Sequence, residues 1–160
     1  MTLMNSLLMS FPGTPIIYYG DEIAMKSGGD PENRRDFPGG FPADGIDKFA
    51  ASGRNTVEND VWDHLAKLGK LRQEFEPLRR GKTIDLVDEE QQMAYARVTD
   101  KQAVIVVFNN DTKPARLSFD IGMIKQIPRS SSLVDKLGGI SDMKVAADGR
   151  VEFTIPARKA

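Results

Sequence analysis

Val61, Leu65, Leu68, Leu71, Phe75 and Leu78 fall at steps of three and four; from Thr83 onward that period gives way to short alternating runs. A stripe at helical spacing followed by period-two segments commits the chain to a helical part and a β part, each needing an apolar face covered. The 160 residues suit one ordinary domain or two small ones. The helix is expected over residues 57–80, capped by Thr56 or Asn59 and ended by Pro77 and Gly81. Strands are expected at Thr83–Val87, Gln92–Thr99, Gln102–Asn109, Ala115–Asp120, Ser132–Leu137 and Arg150–Pro156. Gln102–Asn109 is apolar on both faces and is expected to be central. Turn signals at Thr99–Lys101, Asn109–Asp111 and Asp148–Gly149 separate these runs, which suits an antiparallel sandwich or small barrel.

Upstream of the long helix, Leu3, Leu7 and Leu8 with Met4 predict a buried helix that stops before Pro12. Lys and Arg are absent before Lys26, so this segment lacks the positive region of a signal peptide. Pro15–Gly20 is a short, continuously apolar run, which predicts a strand buried on both faces. Residues 26–56 form a long loop, whose stretch GGDPENRRDFPGGFPADG holds five Gly and three Pro. A loop of that length inside a compact domain is functional or disordered, and Phe37, Phe41, Phe49 and two adjacent Arg weigh against disorder.

Composition removes several function classes. The 22 Lys and Arg balance 23 Asp and Glu, giving a net charge of -1, so there is no electrostatic footprint for nucleic acid or an anionic membrane. Cys is absent, which excludes disulfides, thiolate metal sites and a Cys nucleophile. The longest apolar runs, such as Val104–Phe108, fall far short of the ~20 residues of a membrane span. No clustered acidic oxygens suggest calcium, and no cofactor is expected.

The stretches FPGTPIIYYGDEIAM (Phe11–Met25) and GGDPENRRDFPGGFP (Gly28–Pro42) resemble the region after the last catalytic motif in the alpha-amylase superfamily of glycoside hydrolases. The spelling DFPGGFPAD is most similar to the neopullulanase and cyclomaltodextrinase branch. LGKLRQEFEPLRRGK (Leu68–Lys82) resembles that family's last barrel helix, and MAYARV (Met93–Val98) with VIVVFNN (Val104–Asn110) resembles the opening strands of its C-terminal β-domain. The resemblance implies an α+β fragment. Residues 1–80 would be the last strand–helix unit of a (β/α)8 barrel, with Pro15–Gly20 as the eighth strand. Residues 81–160 would be an all-β antiparallel C-terminal sandwich domain. It also implies that the loop lies on the active-site rim. The motifs carrying the family's three catalytic carboxylates are not in this chain, so no catalytic residue is assigned. The implied role is the C-terminal part of a retaining alpha-glucan hydrolase, inert alone, acting on maltodextrin, cyclodextrin or pullulan. A stand-alone carbohydrate-binding or interaction β-module is the alternative.

Asp30 and Arg34 carry the site expectation. A carboxylate can accept from two vicinal sugar hydroxyls, and a guanidinium offers a fixed fork of donors. Spacing alone favours a loop ion pair; the resemblance to an Asp-Pro-x-x-Arg motif implies binding of a glucose unit beside the cleavage subsite. Asp21 and Glu22 are adjacent on a strand exit and point apart, so they read as structural. Arg35 and His64 read as solvated, and Phe37, Phe41 and Trp62 as packing. The alpha-glucan is the expected partner in the whole enzyme. The isolated chain is expected to self-associate through residues 1–80, because an eighth strand without neighbours has two bare edges.

Overall fold

The computed structural model describes residues 1–26 and 28–160. It is an α+β structure with antiparallel sheets. Helix α1 spans Thr2–Ser10 and ends at Phe11, whose backbone is extended and whose N–H donates to Leu7 O, as the proline that follows requires. Its inward face is not the leucine face expected. The buried residues are Asn5, Ser6, Met9 and Ser10, while Met4 and Leu8 are exposed. Buried hydroxyls are tolerated because they are bonded. Ser10 Oγ donates to Ser6 O at 2.5 Å and meets the Tyr95 hydroxyl at 2.7 Å, and Ser6 Oγ lies 2.9 Å from His64 Nε2.

Pro15–Tyr19 runs without strand structure, and Ile16 to Tyr19 are exposed. This corrects the expectation of a strand buried on both faces. A strand exists only through its ladder bonds to neighbours, and among the described residues none pairs with this run.

Helix α2 spans Thr56–Glu74 and buries Val61, Leu65 and Leu68, the centre of the expected stripe. Leu65 and Leu68 meet Met9 of α1, with Leu137 packed beside them. The cap is Asn55 rather than Thr56 or Asn59. Its side chain accepts from Glu58 N at 3.0 Å while Glu58 accepts from Asn55 N at 2.9 Å, a reciprocal capping box. The helix breaks at Phe75 and restarts as α3, Glu76–Arg80, because Pro77 sits in a first turn where its missing N–H costs nothing. The Arg72 guanidinium bridges the helical pieces, donating to Met9 O and Leu78 O at 2.7 Å and to Gly13 O at 2.6 Å.

Among the described residues seven strands follow. β1 (Lys82–Asp88), β2 (Gln92–Val98) and β3 (Ala103–Asn109) form an antiparallel sheet in that order. β4 (Ala115–Asp120) pairs with β7 (Arg150–Ile155), and β5 (Ser132–Leu133) pairs with β6 (Met143–Lys144). Ser132–Leu137 was expected as one strand. It stops at Leu133 because Asp135 then accepts from Leu137 N at 2.8 Å and Ile140 N at 3.0 Å, closing a turn. β2, not β3, is the middle strand, and β3 is the half-buried edge. On one face of β2, Ala94 and Ala96 enter the β core with Leu117, Phe119, Ile121 and Ile155. On its other face Tyr95 and Arg97 lie under the helical half. Arg97 is 1% exposed, donating to Pro77 O at 3.3 Å and Thr83 Oγ1 at 3.0 Å. An apolar cleft of about 300 Å³ remains between β3, Phe75 at the α2–α3 break and Leu133.

Candidate functional site

The long loop begins at a tight turn. Gly20 adopts φ +93, a left-handed conformation that favours glycine, and it packs closely under the Met25 side chain. Asp21 and Glu22 spend their carboxylates on this turn. Asp21 Oδ2 accepts from Tyr18 N at 3.2 Å and Glu22 Oε2 from Gly20 N at 2.7 Å. Both therefore hold backbone, as their divergent directions predict. The turn's 3-10 segment, Asp21–Ile23, packs on α2 with Ile23 fully buried.

Just ahead of that turn, the rings of Tyr18 and Tyr19 lie 4.6 Å apart, tilted by 41°, with both side chains exposed. The Tyr19 hydroxyl is held above the ordinary phenol range, first by desolvation, then by hydrogen bonding to Tyr18, the Tyr18 charge and the Asp36 carboxylate; the Arg34 guanidinium opposes this. Arg34 and Asp36 thus lie within electrostatic reach of the tyrosine pair. A 3-10 turn, Glu32–Arg34, separates Asp30 from Arg34, closed by Arg34 N donating to Pro31 O at 3.3 Å. Asp30 and Arg34 are both exposed, and among the described residues no hydrogen bond or ion pair joins them. The loop ion pair that spacing alone favours is therefore not made. Both side chains are exposed, and Arg34 lies within electrostatic reach of Tyr19.

The second half of the loop is pinned. Asp44 Oδ2 accepts from Gly39 N at 2.7 Å and Phe41 N at 3.0 Å, and Lys48 pairs with Glu58. Arg54 donates to Lys48 O and Phe49 O, each at 3.0 Å, and to Asn59 Oδ1 at 2.9 Å, while its guanidinium stacks 4.1 Å from the Trp62 ring centre. A Cβ at Gly53 would stand 1.8 Å from Asp47 O, so the two loop strands close on each other only with glycine there. Phe37 stacks on Phe49 at 4.5 Å, as packing predicts, whereas Phe41 is exposed. Trp62 is occupied by Arg54 and offers no free ring face on that side.

His64 is not a solvated helix residue. Its Nε2 lies 3.1 Å from Thr2 O, an atom that can only accept, so Nε2 carries the proton in this network. That nitrogen cannot also take a proton from Ser6, and the pair is a tether between α1 and α2 rather than a nucleophile and its base. Burial lowers the His64 pKa, with Lys159, Lys67 and the N-terminus adding to the effect and the Thr2 carbonyl opposing it. Among the described residues no three His, Cys, Asp or Glu side chains gather to hold a metal ion. Among the described residues no helix is long and apolar enough to cross a membrane.

No family model matches the chain. Individual relatives do. The cyclomaltodextrinase of Geobacillus thermopakistaniensis is 30% identical over 115 residues, covering 71% of this chain. A cyclomaltodextrinase from Bacillus sp is 32% identical over 113 residues, covering 69% of this chain. The chain spans only 17% and 18% of the lengths of these two relatives. Among solved structures, the alpha-amylase of Geobacillus thermoleovorans, complexed with acarbose, matches with a TM-score of 0.76 at 28% identity over 99% of this chain and 31% of its own. An Anoxybacillus alpha-amylase gives a TM-score of 0.76 at 26% identity, over 99% of this chain and 30% of its own. Likeness in sequence over most of the chain and in fold over nearly all of it agree, and the chain belongs to the alpha-amylase family of glycoside hydrolases.

Proposed function

We propose that this chain is the C-terminal part of a retaining alpha-glucan hydrolase, acting on alpha-1,4 glucosidic bonds of maltodextrin, cyclodextrin or pullulan. On this reading residues 1–80 are the end of the catalytic barrel and residues 81–160 its C-terminal β-domain. The chain supplies substrate positioning, with Asp30 and Arg34 holding a glucose unit next to the cleavage subsite. The observation that supports it best is the exposed Asp30 and Arg34, not paired with each other, at the ends of one short turn, with Arg34 within electrostatic reach of the exposed Tyr19, in a chain whose relatives are named as enzymes of alpha-glucans. An exposed carboxylate and guanidinium suit the hydroxyls of a glucose unit.

Retaining hydrolysis needs two carboxyl groups about 5–5.5 Å apart across the scissile bond. Asp21 and Glu22 are committed to backbone amides, so the chain alone should be inert. The stand-alone β-module has less support. Tyr95, Phe108 and Phe119 of the β half are buried and Phe153 partly so, which leaves none of these four as an open sugar platform.

The test has two arms. The isolated chain, incubated with maltooligosaccharides, cyclodextrin and pullulan, should release no reducing ends. A chimera in which it replaces the matched segment of the Bacillus sp cyclomaltodextrinase should hydrolyse them. Turnover by the isolated, contaminant-free chain, or a folded but inactive chimera, would refute the assignment.

A further inference from the structure

Phe41 is 57% exposed, and among the described residues no aromatic ring or cation stacks on it. The segment that carries it is nevertheless firmly built. Lys48 N donates to Pro38 O at 3.0 Å and Phe37 stacks on Phe49, which closes residues 37–49 into a compact loop whose ends meet. Gly39 adopts φ +104, and a Cβ there would stand 2.8 Å from Asp47 Cα, so the two limbs touch just beyond that closure. At the tip Asp44 N donates to Phe41 O at 3.0 Å, while the Asp44 carboxylate accepts from the Gly39 and Phe41 amides. The base is tied to α2 by Lys48 on Glu58 and by Arg54, which joins Lys48 O and Phe49 O to Asn59.

A lone apolar residue on a surface needs no explanation. Two observations set Phe41 apart. Its backbone is fixed on both sides by bonds within the loop, so the ring has already lost the freedom that a flexible loop gives up on binding, and a ligand meets it at little ordering cost. The tip is also apolar on its second limb, where Ile46 is 55% exposed, while the carboxylate between them is spent on amides. Asp30 and Arg34 lie earlier on the same long loop. The chemistry of a glucose unit needs both kinds of group. Its hydroxyls lie around the edge of the pyranose ring and suit a carboxylate and a guanidinium, whereas its C–H bonds make a flat apolar face that suits an aromatic ring.

We propose that Phe41 is a sugar platform, its ring stacking on the C–H face of a glucose unit of an alpha-glucan and adding an apolar contact to the hydroxyl contacts of Asp30 and Arg34. The inference rests on the proposed function and deepens it, and it is tested by binding rather than by turnover. The 160-residue chain is titrated with maltoheptaose and followed by NMR. The Phe41 ring signals and the Gly39 and Gly40 amides should shift and saturate. Phe41→Ala should weaken binding about tenfold, the scale of one apolar face returned to water, and Phe41→Trp should keep it. Both variants alter a ring already in water, so the thermal melt should be unchanged. Maltoheptaose binding that Phe41→Ala leaves as it was, or no saturable shift at Phe41, would overturn the platform even if the chimera described above is active. Saturable shifts at Phe41 beside a folded but inactive chimera support the platform and count against the proposed reaction alone.

Discussion

Ser10 uses its single proton on Ser6 O, so the Tyr95 hydroxyl must donate to Ser10 Oγ. The two ends of this bond are therefore unequal. Ser10→Ala leaves a buried phenol donor without a partner, which costs about 1–3 kcal/mol. Tyr95→Phe leaves Ser10 still bonded to Ser6 and should cost less. Thermal melts of both variants should rank them in that order; equal losses would contradict the assigned direction of the bond. His64 gives a second test. Its pKa is lowered in the folded chain, so the unfolded chain binds more protons and stability rises with pH. Stability should thus fall as pH drops below the ordinary imidazole value of about 6.5 toward the lower native value. His64→Gln should flatten that slope in melts recorded from pH 8 to 5. Glu58 acts in a separate, more acidic window. Its lowered pKa, caused first by the Lys48 hydrogen bond, adds stability above the ordinary carboxylate range that is lost as pH falls through it. The structural reading of Asp21 and Glu22 agrees with their bonds to backbone amides, although it rests on a strand exit and the structure shows a 3-10 turn. The His64 and Ser10 bonds are not legible in the sequence, since their partners lie 58 and 85 residues away.

Helix α2 shows what local pattern can and cannot give. Its apolar stripe and the Asn55-x-x-Glu58 box are both written in the sequence, the second being a recognisable start signal. Asn55→Ala should lower stability by about 1 kcal/mol, read from the shift in denaturation midpoint, with the apolar stripe still buried. No change would mean that the Lys48 and Arg54 contacts hold the helix start without the cap. The break at Phe75 is illegible, because Pro77 reads as a terminator until the chain is seen to restart around it. The order of the first sheet is likewise hidden. Hydropathy favours β3 for the centre, whereas β2 takes it by offering small Ala94 and Ala96 to one side and a buried, hydrogen-bonded Arg97 to the other.

At the scale of the molecule, the two halves meet across polar contacts: Ser10 with Tyr95, Pro77 with Arg97, and Lys67 Nζ donating to Leu137 O at 3.0 Å. The apolar surface of α1 and of Ile16–Tyr19 points away from them into water. The candidate site follows the same division. Asp30 and Arg34 stand out in the sequence as a spaced pair, but that they do not bond each other, and that Arg34 comes within reach of Tyr19, depends on the folded loop. The most direct test of the proposed role is kcat/KM on a defined maltooligosaccharide for the cyclomaltodextrinase chimera carrying Asp30→Ala or Arg34→Ala. Losing a charge-assisted hydrogen bond, about 1.5–3 kcal/mol, should lower kcat/KM by about ten- to over a hundredfold, with the thermal melt unchanged because both side chains are exposed and not joined to each other. Unchanged kinetics in both variants would contradict the account and leave Asp30 and Arg34 as ordinary residues of a surface turn.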